Sequence, residues 1–175
     1  EPFAGRGYTV FALVIRSRPR FTIPDMIEDV KRGIRFVRLH AKQYSIDAER
    51  LGLYGLSAGG HLSLMAALTA DDGDEGSADD IERISSRVQA VAEFYGPTDF
   101  LNYGAVGENA VGRGVLGDLK SAFDFCELDL QTNCYIRISD EARIESIARD
   151  ISPINHLHHA APSIFIVHGD ADVRV

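Results

Sequence analysis

A serine enclosed by glycines, Gly55-Leu56-Ser57-Ala58-Gly59-Gly60, is the stretch of this 175-residue chain best suited to chemistry. A serine hydroxyl is a poor nucleophile. To react, it must be exposed and deprotonated, and the oxyanion that follows must be stabilised. A sharp turn from strand to helix lifts the side chain clear and sets it beside the free N–H groups of a helix N-terminus. The flanks fit such a turn: Arg50–Tyr54 is a short apolar run that predicts a buried strand, and His61–Leu68 has the composition of a buried helix. Gly55 and Gly59 are expected to be glycine because a Cβ at either would crowd the turn. Ser57 is thus the candidate nucleophile, and Ala58 N–H the first candidate donor to the oxyanion. The alternative is a plain glycine-rich turn.

A serine nucleophile works with a base, most often His, and a carboxylate that fixes the imidazole tautomer. Two turns after predicted strands carry carboxylates. In His168-Gly-Asp170-Ala-Asp172 the preferred acid is Asp172, while Asp170, nearer the strand end, is expected to bond turn amides. Asp99 is the alternative acid, its other reading being an Asx cap of the turn begun by Pro97. Sites of this kind run Ser, acid, His along the chain, and no His follows Asp172. His61 lies one helical turn beyond Ser57 and reads as structural; His168 reads as packing beneath the acid turn. His156, His158 and His159 are the base candidates left within the chain. The simpler expectation is that the base lies outside these residues, as does a second oxyanion donor.

The elements that must position these groups read as an α/β alternation. Tyr8–Ile15 is a continuous β-branched and aromatic run and predicts a strand buried on both faces. Pro24 suits a helix's first turn, and Ile23, Ile27, Val30, Ile34, Val37 and Ala41 form one stripe of 3.6-residue period. Lys31, Arg32, Arg35 and Arg38 fall off that stripe and are expected on a solvated face. Six carboxylates in Asp71–Asp80 lack EF-hand spacing and predict a solvated surface loop. Val88–Tyr95 and Ser163–Val167 predict further strands, and Asp140–Arg149 a helix. The stretch 99–150 reads as an excursion above the sheet, a lid or specificity insert. Such an order implies a mostly parallel sheet with helices on both faces, whose post-strand turns converge on one rim where ligands bind.

Composition sets the bounds. With 45 % hydrophobic and 25 % charged residues the chain suits a single domain over 1–175. A net charge of -8 argues against nucleic acid, and no apolar run is long enough for a membrane span. No cofactor or metal is required. Cys126 and Cys134 stand eight positions apart in a polar stretch, open to a disulfide or to two unpaired thiols.

With these residues in view, the chain resembles the α/β-hydrolase fold family, within it the esterase, lipase and acetyl-xylan-esterase-like group (BD-FAE and hormone-sensitive-lipase-like enzymes). The resemblance is carried by Gly5-Arg-Gly-Tyr-Thr-Val-Phe11, by Tyr44-Ser-Ile-Asp47-Ala-Glu-Arg50 leading into Gly55–Leu62, and by His168-Gly-Asp-Ala-Asp172-Val-Arg-Val175. It implies a three-layer αβα sandwich, seen here as a central piece truncated at both ends, and hydrolysis of a small-molecule carboxylic ester through an acyl-enzyme. It also favours Asp172 over Asp170 as the acid. The family's His-Gly-Gly oxyanion loop and its His after the acid have no counterpart here, so the isolated chain is expected to be inactive. The alternatives are a prolyl-oligopeptidase-like serine peptidase and a non-catalytic member of the fold.

Overall fold

Thr22 opens the first helix: its N–H donates to the Asp25 carboxylate at 2.9 Å. The side chain of that Asp meets the positive end of the helix dipole. The computed structural model describes residues 3–17, 20–103, 106–107 and 125–172. In it, α1 spans Ile23–Leu39 with Pro24 in its first turn, and a short α2 follows at Ala41–Tyr44. The predicted stripe is buried along its whole length, from Ile23 to Ala41.

The opposite face departs from expectation. Lys31 and Arg35 are buried at 8 % and 5 % exposure. Arg35 reaches the Asp71 carboxylate at 2.5 Å, Glu82 at 3.1 Å and the Ile84 carbonyl at 2.9 Å. Arg32 pairs with Asp79 and Glu82, and Arg38 donates to the carbonyls of Ala48, Ser85 and Arg87. The acidic stretch is a largely exposed loop, as expected, but it is tied to α1 at Asp71 and Asp79. Two of its six carboxylates thus meet the basic run of α1, while Lys31 pairs with Glu28 of its own helix. Burial works against the charge on Asp71, yet the bonds from Arg35 and from Gly73 N–H hold its carboxyl below the usual range. Arg35→Met, which removes a buried guanidinium's bonds to Asp71, Glu82 and the Ile84 carbonyl, is expected to lower stability by about 2–3 kcal/mol in urea unfolding. The exposed Arg32→Met is expected to change it by less than about 1 kcal/mol.

Three parallel strands form the main sheet: β1 Gly52–Leu56, β2 Ala90–Phe94 and, fifth in the chain, β5 Ser163–Val167, in the order β1-β2-β5. The register sets Gly55 beside Glu93 and Glu93 beside Ile166. Helix α3, Ala58–Leu68, packs on the face that carries Gly55 and Glu93 and is backed by α1. Met65, Ala66, Val91, Phe100 and Phe125 lie at the centre of the core between them. On the other face, an aromatic row runs from Tyr54 to Phe94 and on to Phe165, with centroids 5.5 and 6.3 Å apart; Tyr54 and Phe165 are exposed. The parallel α/β arrangement stands as expected, with the described helices on one of its faces.

Tyr8–Ile15 corrects a prediction: it joins no strand ladder among the described residues. It lies along α1 and α2 instead, Leu13 seated over Gly33 and Phe11 against Tyr44, while Arg16, just beyond it, binds Asp29. Val14 is fully exposed. Strand propensity measures fit to a pleated, packed surface, and here one side of the segment meets a helix rather than a neighbouring strand.

Within the expected excursion, the sequence from Cys126 onward forms a hairpin of β3 Cys126–Asp129 and β4 Cys134–Arg137. Asp129 closes it, accepting from Gln131 N–H and the Thr132 hydroxyl, while Asn133 turns the chain at a φ of 53°. Asp129 faces Cys134 and Arg137 faces Cys126. By strand alternation the two thiols point to opposite faces, which rules out an intrachain disulfide in this register. Helix α4, Glu141–Asp150, follows, capped by Asp140 on Arg143 N–H at 2.7 Å. Part of the expected insert, 104–105 and 108–124, lies outside the described residues.

Candidate active site

Ser57 stands between the end of β1 and the start of α3, exposed, at a φ of 51° and ψ of -124°. A non-glycine residue holds such angles only when its surroundings impose them. Its N–H donates to the Phe94 carbonyl at 2.8 Å and its carbonyl accepts from His61 N–H at 3.0 Å. Ala58, Gly59 and Gly60 precede the first helical bond, so their N–H groups are unused by the ladder. A donor and a dipole thus sit beside an exposed hydroxyl.

The glycines around it differ in their reasons. A Cβ on Gly55 would lie 2.1 Å from the Gly59 carbonyl oxygen, as the tight turn predicts. A Cβ on Gly59 would meet nothing within 4 Å, so the crowding expected there is not found. The second constrained glycine is Gly60, whose Cβ would fall 2.9 Å from Glu93 Oε2.

All three strands are parallel, so the turns after β1, β2 and β5 share one rim. Ser57 and the His168–Asp172 turn sit one strand apart, with β2 between, roughly 10 Å at two strand spacings. Asp172 N–H donates to the Gly169 carbonyl at 3.2 Å, and its carboxylate lies 3.7 Å from His168 Nε2. The expected bonds from turn amides to Asp170 do not form among the described residues. Asp99 engages its own turn, accepting from Leu101 N–H, Asn102 N–H and the Asn102 amide.

The histidines are mostly committed to the backbone. His40, His156 and His158 bond the carbonyls of Phe36, Asp150 and Leu68. His61, 2 % exposed, donates from Nε2 to the Ile151 carbonyl at 2.7 Å and meets Phe100 edge-on. Burial pushes its pKa down to about 4, against the upward pull of that bond. The unfolded chain therefore binds the extra proton between pH 6.5 and 4, and stability falls as pH drops through that window. The loss is expected to total about 3 kcal/mol and to be absent from His61→Gln, as read from urea midpoints at pH 7.5 and 4.5.

Two further groups escaped the reading of the sequence. Tyr103 stacks on Phe100, and its hydroxyl is pushed up to about 12 by burial first and by the Asp172 charge second. Glu93 has no exposed surface and lies directly under the turn. Its signal was a carboxylate at an inward position of an apolar strand. Among the described residues no group of His, Cys, Asp and Glu converges as a metal site, and no helix is long and apolar enough to cross a membrane.

The BD-FAE family model matches residues 1–175. The chain is 34 % identical over 169 residues to the probable carboxylic ester hydrolase LipM of Mycobacterium tuberculosis, covering 97 % of this chain and 35 % of LipM. With esterase LipQ of the same organism it shares 31 % over 169 residues, at the same coverage of 97 % and 35 %. A truncated carbohydrate esterase from gut microbiota superposes with a TM-score of 0.64 at 30 % identity, over 88 % of this chain and 52 % of that one. The acetyl ester-xyloside bifunctional hydrolase of Caldicellulosiruptor lactoaceticus gives 0.63 at 26 % identity, over 89 % and 47 %. The chain thus spans about 35 % of the length of the two curated relatives.

Proposed function

Because this chain belongs to the BD-FAE family, with its α/β-hydrolase fold, we propose that it carries the nucleophile and acid of a carboxylic ester hydrolase. The observation that carries the proposal is the forced backbone of Ser57, exposed on a strand-to-helix turn beside unused N–H groups. Ser57 Oγ attacks the ester carbonyl, and the C–O bond to the alcohol breaks to leave an acyl-enzyme. The alcohol leaves with the proton taken from the serine, and water then cleaves the acyl-enzyme to the acid and free serine. Ala58 N–H stabilises the oxyanion from the first turn of α3. Asp172, on the same rim, orients the imidazole that takes the serine proton. With four of the six histidines bonded to backbone carbonyls, His168 beside Asp172, and His159 ahead of β5 at the end of the sheet away from the rim, that imidazole is expected from outside residues 1–175. On this reading the 175 residues alone do not turn over ester. The esterase names of LipM and LipQ favour a small-molecule ester over a peptide.

Covalent labelling tests it. A fluorophosphonate added to the full-length gene product is expected to modify the peptide that contains Ser57, as read by mass spectrometry. Asp172→Asn should slow labelling by about 1,000-fold or more, and Asp170→Asn by less than about 3-fold. Modification of another residue, or equal slowing by both variants, would overturn the assignment.

A further inference from the structure

Glu93 is a fully buried carboxylate on β2, with 0 % exposure. Its Oε2 accepts the Gly96 N–H at 2.8 Å, while Oε1 makes no hydrogen bond among the described residues. A buried acid with one oxygen unpaired is costly, and such a group calls for a reason. Its surroundings supply one. Oε2 lies 2.9 Å from the place of a Cβ on Gly60 and 2.8 Å from that on Gly96, so the carboxylate is wedged between two chain segments that only glycine lets approach. One is the first turn of α3; the other is the turn that follows β2. A Cβ on Gly96 would also lie 2.7 Å from His61 N.

The turn held this way touches both halves of the proposed site. Phe94 carbonyl accepts from Ser57 N–H at 2.8 Å, and Tyr95 N–H donates to the Val167 carbonyl at 2.8 Å, at the end of the strand that leads to Asp172. Between these two bonds Tyr95 sits at a φ of 46°, another non-glycine residue in the left-handed region. Nothing in Tyr95 itself favours that conformation. It needs an anchor on its far side, and the bond from Gly96 to Glu93 is that anchor.

We propose that Glu93 is a positioning residue: by reach, not by charge, it pins the 94–96 turn against α3 and so fixes the Ser57–Ala58 peptide relative to the acid strand. Released from Glu93, the turn relaxes, the Phe94 carbonyl shifts, and the Ala58 N–H loses its aim at the oxyanion. Substrate binding, made elsewhere, is unaffected. The inference rests on Ser57 being the nucleophile.

Glu93→Asp and Glu93→Gln separate reach from charge. Asp keeps the carboxylate but is one methylene too short for Gly96; Gln keeps the length and an acceptor oxygen but has no charge. Both are assayed in the full-length gene product with 4-nitrophenyl acetate, and kcat is counted per site titrated by fluorophosphonate. The labelling rate constant is read alongside, since it reports on whatever fraction is folded. Glu93→Asp is expected to lower kcat and the labelling rate by about 10-fold or more with KM within about 2-fold, and Glu93→Gln to keep both rates within about 3-fold. Wild-type rates per titrated site in Glu93→Asp, or an equal loss in Glu93→Gln, overturn the positioning role while leaving Ser57 in place. Activity that survives in Ser57→Ala overturns both readings.

Discussion

Ser57→Ala in the full-length gene product is expected to lower kcat/KM for a short-chain aryl ester by about 10⁵-fold. The site left without Oγ keeps the Ala58 N–H donor to the oxyanion, so some catalysis above the uncatalysed rate is expected to remain. Stability should barely move, by less than about 0.5 kcal/mol, because alanine and serine meet the same backbone strain at a φ of 51°. That pairing separates chemistry from folding. A melting temperature that falls along with activity would point to a serine that holds the turn rather than one that reacts, and unchanged turnover would dismiss the nucleophile altogether.

The second large effect is on the fold. Gly55→Ala places a methyl 2.1 Å from the Gly59 oxygen, 2.3 Å from its carbonyl carbon and 2.7 Å from Gly60 N. These are backbone atoms of the first turn of α3, which cannot withdraw without unwinding. The expected cost exceeds about 4 kcal/mol, enough to abolish a cooperative urea transition in a marginally stable domain. Gly59→Ala, with open space around the new methyl, is expected instead to stabilise α3 by about 0.5–1 kcal/mol. Equal behaviour of the two variants would mean that the turn yields to the added methyl.

What the sequence disclosed is what local pattern determines. The buried stripe of α1, the strands at Gly52–Leu56 and Ala90–Phe94, and the serine turn between a strand and a helix all follow from spacing that a short window contains. The misreadings arose where the partner is distant. Arg35 and Asp71 are each unremarkable in their own windows, and only the fold brings them to 2.5 Å. Tyr8–Ile15 has the composition of a strand, but a ladder takes a neighbour, and composition does not name one. Glu93 and Tyr103 were missed for the same reason: Glu93 matters through the turns packed over it, and Tyr103 through the Asp172 charge that the fold brings near. The two glycines also divide this way, since Gly55 is constrained by its own turn and Gly60 by a carboxylate from another strand.

The left-handed backbone at Ser57 has a further consequence, for how this protein would change under selection or in an engineer's hands. A serine in that region costs about 1–3 kcal/mol, and glycine adopts the same angles without strain. Ser57→Gly therefore lies on the path of any search for a more stable chain, and on the proposed reading it ends catalysis. The most stable version of this turn and the reactive version are different sequences. A screen that rewards heat resistance alone would drift towards the first, whereas retained activity holds the chain at a strained position below its own stability maximum.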